Sequence, residues 1–435
     1  MVFNKVIDSC KNINYKLFFA LLFLGFCPTI YTTIRIFFLG QLPNAWAYSI
    51  AGQLSWVNLL YEILNEAIIL PLFYFTGQVK NDCKEFGNRI KTGLIVTLII
   101  YTLFSLLIIC FTKPLMQIMA VDKSIFQESI TYIRIESIAN IFLILCSFTL
   151  VALVSLEKHK FVYLLTIAKL ILSIVCDTFL LSALPFSLNL GVNGIGYSNI
   201  IANVAMLILP MFLLSKANVN FFSHDKLSFT WIKQFFKIGS ISGLESFVRN
   251  IAFIFMISRM VNVVGEQGIY WVANNFIWGW LILPVTQLGE LIKQEISADK
   301  NAIHNNTVGY FAITFVICLI WFVTIPLWKP FMNNILRYSD VDKLYHLVLI
   351  QIGFYVLYAF QNIFDATFYG LGKTQYMLFE SVISNTVYYG LAFVLYLSGF
   401  WFPTLSGIAL MFGFGMAFDS LISFLAYIHL LKNLI

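Results

Sequence analysis

The sequence predicts an all-α, polytopic membrane protein of about 12 transmembrane helices in two pseudo-symmetric six-helix bundles, and three observations lead there. Of 435 residues, 60% are apolar and only 11% charged, more apolar material than a water-soluble core can use. Apolar runs of roughly 20 residues, the length that crosses a hydrocarbon core of about 30 Å, recur from end to end. The third observation is a weak internal echo, set out below.

The first span is read at 17–39, behind Lys5, Lys11 and Lys16. No short apolar stretch followed by small residues marks a cleavable leader, so this span is expected to stay attached. Runs at 46–75, 92–111, 125–156, 162–184 and 194–214 complete a first half. A polar segment at 216–230 then divides residues 1–215 from 231–435. The second half reads 235–261, 269–291, 308–328, 344–370, 376–400 and 405–431. Ten-residue segments of alternating polarity, the mark of a membrane barrel, are missing.

With the N-terminus in the cytoplasm, the inner side carries 17 Lys and Arg and the outer side 5, so the rule that inner loops are basic places both termini inside. This topology accounts for the net charge of +6 without a nucleic-acid partner. Seven cysteines fall mostly within apolar runs and suggest no disulfide framework, and five scattered histidines show no metal-ligand spacing. Residues Gly370-Leu371-Gly372-Lys373-Thr374 look like the end of a phosphate-binding loop, but the first glycine that loop needs would fall at Thr367. No hydrolase or metalloprotease motif is present either, and the chain is not expected to be an enzyme.

The echo lies in charge and spacing. Arg35 and Glu66 are 31 residues apart, as are Arg259 and Glu290, and Gly40 precedes Trp46 by the interval that separates Gly265 from Trp271. Repeated halves suit a transporter that rocks one bundle against the other around a midplane site. Charges inside spans are costly unless they face water or a partner, which makes them the first candidates for that site. Glu245 and Arg249, one helical turn apart, have the spacing of an intrahelical ion pair. Asp365 sits one turn from Gln361 and near Asn362, an oxygen-rich group suited to a proton or a sodium ion. Glu245, Glu66 and Asp177 are further coupling candidates, while Glu136, Arg259 and Glu290 lie close enough to span ends to reach the headgroups. Arg35, Arg249, Tyr358, Gln361, Asn274 and Trp278 are candidates for a substrate cavity, the aromatic ones because such walls bind flat or cationic organic molecules. Pro28, inside span 1, removes a backbone hydrogen bond and is read as a bend.

Several segments together resemble the multidrug and toxic compound extrusion (MATE) family, within a superfamily that includes lipid-linked oligosaccharide flippases. They are the run from Ile30 through Arg35 to Gly40, Tyr132-Ile133-Arg134-Ile135, the glycine-rich turn from Leu190 to Gly196, and Phe368 through Thr374. The resemblance implies a monomer in the bacterial cytoplasmic membrane that exports small organic compounds in exchange for protons or sodium, with no other cofactor. Arg35 and Arg249 stand where the family often has acids, which suggests a partly cationic cavity. That leaves export of an organic anion, or flipping of an anionic lipid-linked saccharide, as the alternative.

Overall fold

The computed structural model describes residues 2–43, 46–79, 82–156, 158–216 and 227–434. Most of the polar segment at 216–230, with His224, Asp225 and Lys226, lies outside the described residues, as does Lys80.

The elements in chain order are α1 (Val2–Lys11), α2 (Tyr15–Leu39), α3 (Ala47–Gly52), α4 (Leu54–Gly77), α5 (Cys83–Ile118), α6 (Phe126–Ser155), α7 (His159–Leu180), α8 (Asn193–Lys216) and α9 (Ile232–Phe253). A π-helical turn (Ile254–Ser258) carries α9 into α10 (Arg259–Val263). A second (Ile277–Leu281) joins α11 (Gln267–Phe276) to α12 (Leu283–Ala298). After α13 (Ala302–Asn305), α14 (Thr307–Asn334) and α15 (Val341–Gly370), a third (Ser384–Tyr389) joins α16 (Gln375–Ile383) to α17 (Gly390–Leu397), and α18 (Leu405–Leu434) ends the chain.

Among the described residues, ten helical stretches are long and apolar enough to cross a membrane. The two remaining expected spans, 46–75 and 269–291, correspond to α3 with α4 and to α11, its π turn and α12. The molecule is therefore an all-helical multi-pass membrane protein whose helices follow the twelve expected spans.

Contacts group the chain into two compact units, residues 1–40 with 269–435, and 41–268. These cuts differ from the sequence seam: α2 groups with the later helices and α9 with the earlier ones. Spans 1 and 7 hold equivalent places in the two sequence halves, so the exchange is itself symmetric.

In the unit of residues 1–40 and 269–435, α2 packs on α12, α12 on α15, and α15 on both α14 and α18. Its core gathers Ile13, Phe18, Leu291, Ile292, Tyr310 and Ile363. Glu295 ties the ends of three helices together, accepting from Asn14 N (2.8 Å), Asn306 Nδ2 (2.9 Å) and the Tyr310 hydroxyl. Asn14 in turn caps α2 by accepting from Leu17 N at 3.0 Å, and Ser9 Oγ accepts the otherwise unpaired Gly309 N of α14 at 2.8 Å.

In the unit of residues 41–268, α6 packs on α8 and α5, and α4 packs on α9. The α4–α9 contact follows from a glycine pair: Gly239 and Gly243 lie one turn apart on α9, and both face Ala67. A Cβ on Gly239 would stand 2.0 Å from the Ala67 carbonyl oxygen, so only glycine permits this approach. Farther along the same seam Asn250 Nδ2 donates to Leu59 O (3.2 Å), and Gln53 and Asn262 exchange side-chain hydrogen bonds of 2.8 and 3.2 Å. Glu136 does not reach the headgroups: it is 2% exposed, and Asn199 Nδ2 donates to both of its oxygens at 2.8 and 3.1 Å. With its carboxylate held on α8, extension to the interface would break both of these hydrogen bonds in an apolar setting.

Candidate functional site

Within the first unit, Gln361 of α15 stands at the centre of three carboxylates. Its Nε2 lies 3.2 Å from Asp365 Oδ2, 2.7 Å from Glu380 Oε1 and 2.8 Å from Asp419 Oδ2. Ser420 Oγ donates to Gln361 Oε1 (2.7 Å), which fixes the orientation of the amide. Ser423 Oγ donates to Asp365 Oδ1 at 2.6 Å, and Ser384 Oγ donates to Asp419 Oδ1. Three helices build this group. One turn of α15 places Gln361 over Asp365, α18 supplies Asp419, Ser420 and Ser423, and the π turn after α16 brings Ser384 to Asp419.

None of these three acids makes an ion pair among the described residues. Glu380 is 3% exposed, and its Oε2 is buried without a hydrogen-bond partner. The amide has two hydrogens for three acidic oxygens, so the group has unmet acceptor capacity that one added proton or cation satisfies. Sequence spacing finds Gln361 and Asp365 because they share a helix face. It does not find Glu380 and Asp419, which arrive from other helices.

In the second unit, Arg249 of α9 is held by acids from two helices. Its Nε lies 3.3 Å from Glu245 Oε1, its Nη1 3.3 Å from Glu62 Oε1, and its Nη2 2.7 Å from Glu66 Oε1. The Gly239–Gly243 approach brings α9 close enough to α4 for these bonds to form. Three acids surround one base, so Arg249 does not make its surroundings positive, and the cationic cavity inferred from its identity is not formed by this group. Of the evenly spaced charges, Glu66 binds Arg249, Glu290 binds Lys293 at 2.6 Å, and Arg259 Nε donates to Ile118 O at 2.9 Å.

Asp177, on α7, is 1% exposed, and α7 packs chiefly on α8. Arg35, 8% exposed on α2, has its guanidinium 5.5 Å from the Tyr31 ring centre. Asn274 and Trp278 line a cavity of about 150 Å³ between α2 and the π turn at Ile277–Leu281. Tyr358 stands beside it, its ring 5.4 Å from that of Trp278.

Buried acids without an ion pair thus stand amid helices long and apolar enough to cross a membrane, with a polar cavity in the same unit. Residues 79–179 match the MatE family model. The whole chain is similar in fold to an inward-facing multidrug resistance MATE family transporter of the MOP superfamily, at 18% identity and a TM-score of 0.78 over 93% of this chain and 95% of that one. An outward-facing MATE structure gives 18% identity and a TM-score of 0.66 over 97% and 95%. A MOP superfamily transporter from Pyrococcus furiosus, described as having a binding pocket of reversed polarity, gives 18% and 0.67 over 98% of each chain. No curated protein matches by sequence. The resemblance to the MATE family thus stands on the family model over 79–179 and on the fold of the whole chain.

Proposed function

We propose that the protein is a secondary active transporter that exports small organic compounds across a bacterial cytoplasmic membrane, as a monomer with both termini inside, by antiport with protons or sodium. The observation that carries this reading is the Asp365–Glu380–Asp419 group around Gln361, whose carboxylates make no salt bridge among the described residues. In an apolar surround such a group must take up a proton or cation to be tolerated, so its occupancy follows the hydration and shape of its surroundings. That dependence is what couples an ion gradient to alternating access.

Transport into liposomes under an imposed pH or sodium gradient tests the reading. Asp365→Asn and Glu380→Gln are each expected to abolish the response to the driving gradient while leaving the protein folded. Gradient-driven transport at wild-type rate in both variants overturns it. The anion-export alternative draws no support from Arg249, which its three acids already neutralise.

A further inference from the structure

The geometry points to a binding site for an uncharged, planar aromatic molecule in the cavity between the threonine face of α2 and the π turn at Ile277–Leu281. This deepens the transport reading above by naming a substrate class, and it rests on that reading for its purpose but not for the binding itself.

The cavity measures about 150 Å³, the size of an engineered protein cavity that takes a small aromatic molecule such as benzene. Its walls are preorganised. Thr29 Oγ1 donates to Gly279 O at 3.2 Å, Trp280 Nε1 donates to Thr33 Oγ1 at 3.0 Å, and a Cβ on Gly279 would sit 3.2 Å from Thr29 Cγ2. The π turn offsets Trp278 from the α-helical register, and such turns recur at functional sites because they re-aim side chains. The Trp278 ring is buttressed edge-on by Tyr355 (6.1 Å) and Tyr358 (5.4 Å).

Polar groups on the lining remain open. Among the described residues neither the Asn274 amide nor the Thr32 hydroxyl makes a hydrogen bond, and neighbouring Asn275 uses one amide hydrogen, on Trp271 O at 2.8 Å. A ligand can therefore meet amide groups able to donate and accept, and one hydroxyl. Aromatic walls alone would also attract organic cations. Here, however, no lining residue is ionisable, so a charged ligand would lose its hydration with no counter-charge to replace it. The site favours a neutral ring system carrying a donor and an acceptor.

The test uses the full chain in detergent with no ion gradient, reading energy transfer from tryptophan to 7-amino-4-methylcoumarin, with ethidium as the cationic comparator. The neutral probe is expected to bind saturably. Asn274→Ala and Thr32→Ala should each weaken it by about two- to tenfold, the worth of one hydrogen bond. Trp278→Ala should weaken it by about tenfold and Trp278→Phe much less, with thermal unfolding of each variant showing that the fold is kept. Non-saturable binding, affinity unchanged in all four variants, or displacement of the neutral probe by equimolar ethidium overturns the proposal. Asp365→Asn separates the two readings, because it is expected to remove gradient dependence and leave coumarin affinity unchanged.

Discussion

At the residue scale, Arg249 shows why the identity of a side chain does not fix its electrostatic effect. In a span, a lone guanidinium would pull anions toward it, but Glu62, Glu66 and Glu245 arrive at 2.7 to 3.3 Å and reverse the local balance. Arg249 is then the group that allows three acids to sit close together. Removing it leaves like charges facing one another across α4 and α9. We predict that Arg249→Gln lowers stability by about 1 to 2 kcal/mol at neutral pH, a modest figure because the side chain is 41% exposed and partly screened. Adding Glu66→Gln should recover most of the loss. Thermal unfolding of the single and double variants checks this, and an additive second loss would refute it.

The same residue marks the limit of sequence reading. The four-residue step from Glu245 to Arg249 is visible in one dimension, and so is the step from Gln361 to Asp365. Glu62, Glu66, Glu380 and Asp419 are visible only as acids in apolar runs. What brings them to their partners is the packing of α4 on α9 and of α15 and α16 on α18, which no helical spacing encodes.

At the element scale, the α4–α9 seam depends on missing side chains. Gly239 and Gly243 form a small-residue pair that the sequence displays plainly, as Gly239-Ser240-Ile241-Ser242-Gly243, and their place against Ala67 gives it meaning. In lipid no hydrophobic drive separates helix from tail, so close backbone approach and interhelical hydrogen bonds must hold the pair together. Gly239→Val is predicted to cost about 1 to 3 kcal/mol, the range for overpacking a tight interface. It should also disturb the ion pairs of Arg249. Gly87→Val serves as the control, because a Cβ there meets nothing within 4 Å. Equal melting temperatures for the two variants would contradict the role given to the seam.

The three π turns were the least legible elements. Their residues read as ordinary apolar helix, since one extra residue in a turn leaves composition and periodicity nearly unchanged over a 20-residue window. Yet they reposition Ser384 onto Asp419 and Trp278 into its cavity. Span number and position, by contrast, were fixed by bilayer thickness acting on hydropathy, and the helices fall where that rule puts them.

At the scale of the whole molecule, the proposed direction of transport depends on which side of the membrane each loop occupies. The excess of Lys and Arg on one set of loops assigns Lys123, between α5 and α6, to the outside. It assigns Lys300, between α12 and α13, to the cytoplasm. All seven native cysteines are free thiols, so they must first be replaced, with serine or alanine, to give a silent background. In that background Lys123→Cys is predicted to react in intact cells with a thiol reagent that cannot cross the membrane, and Lys300→Cys only after the cells are opened. An odd number of crossings separates the two positions in the expected topology, from span 4 through span 8. Labelling of both from outside would therefore remove at least one expected span. Labelling of Lys300→Cys alone would invert the protein, and with it the direction in which the Asp365 group takes up and releases its ion.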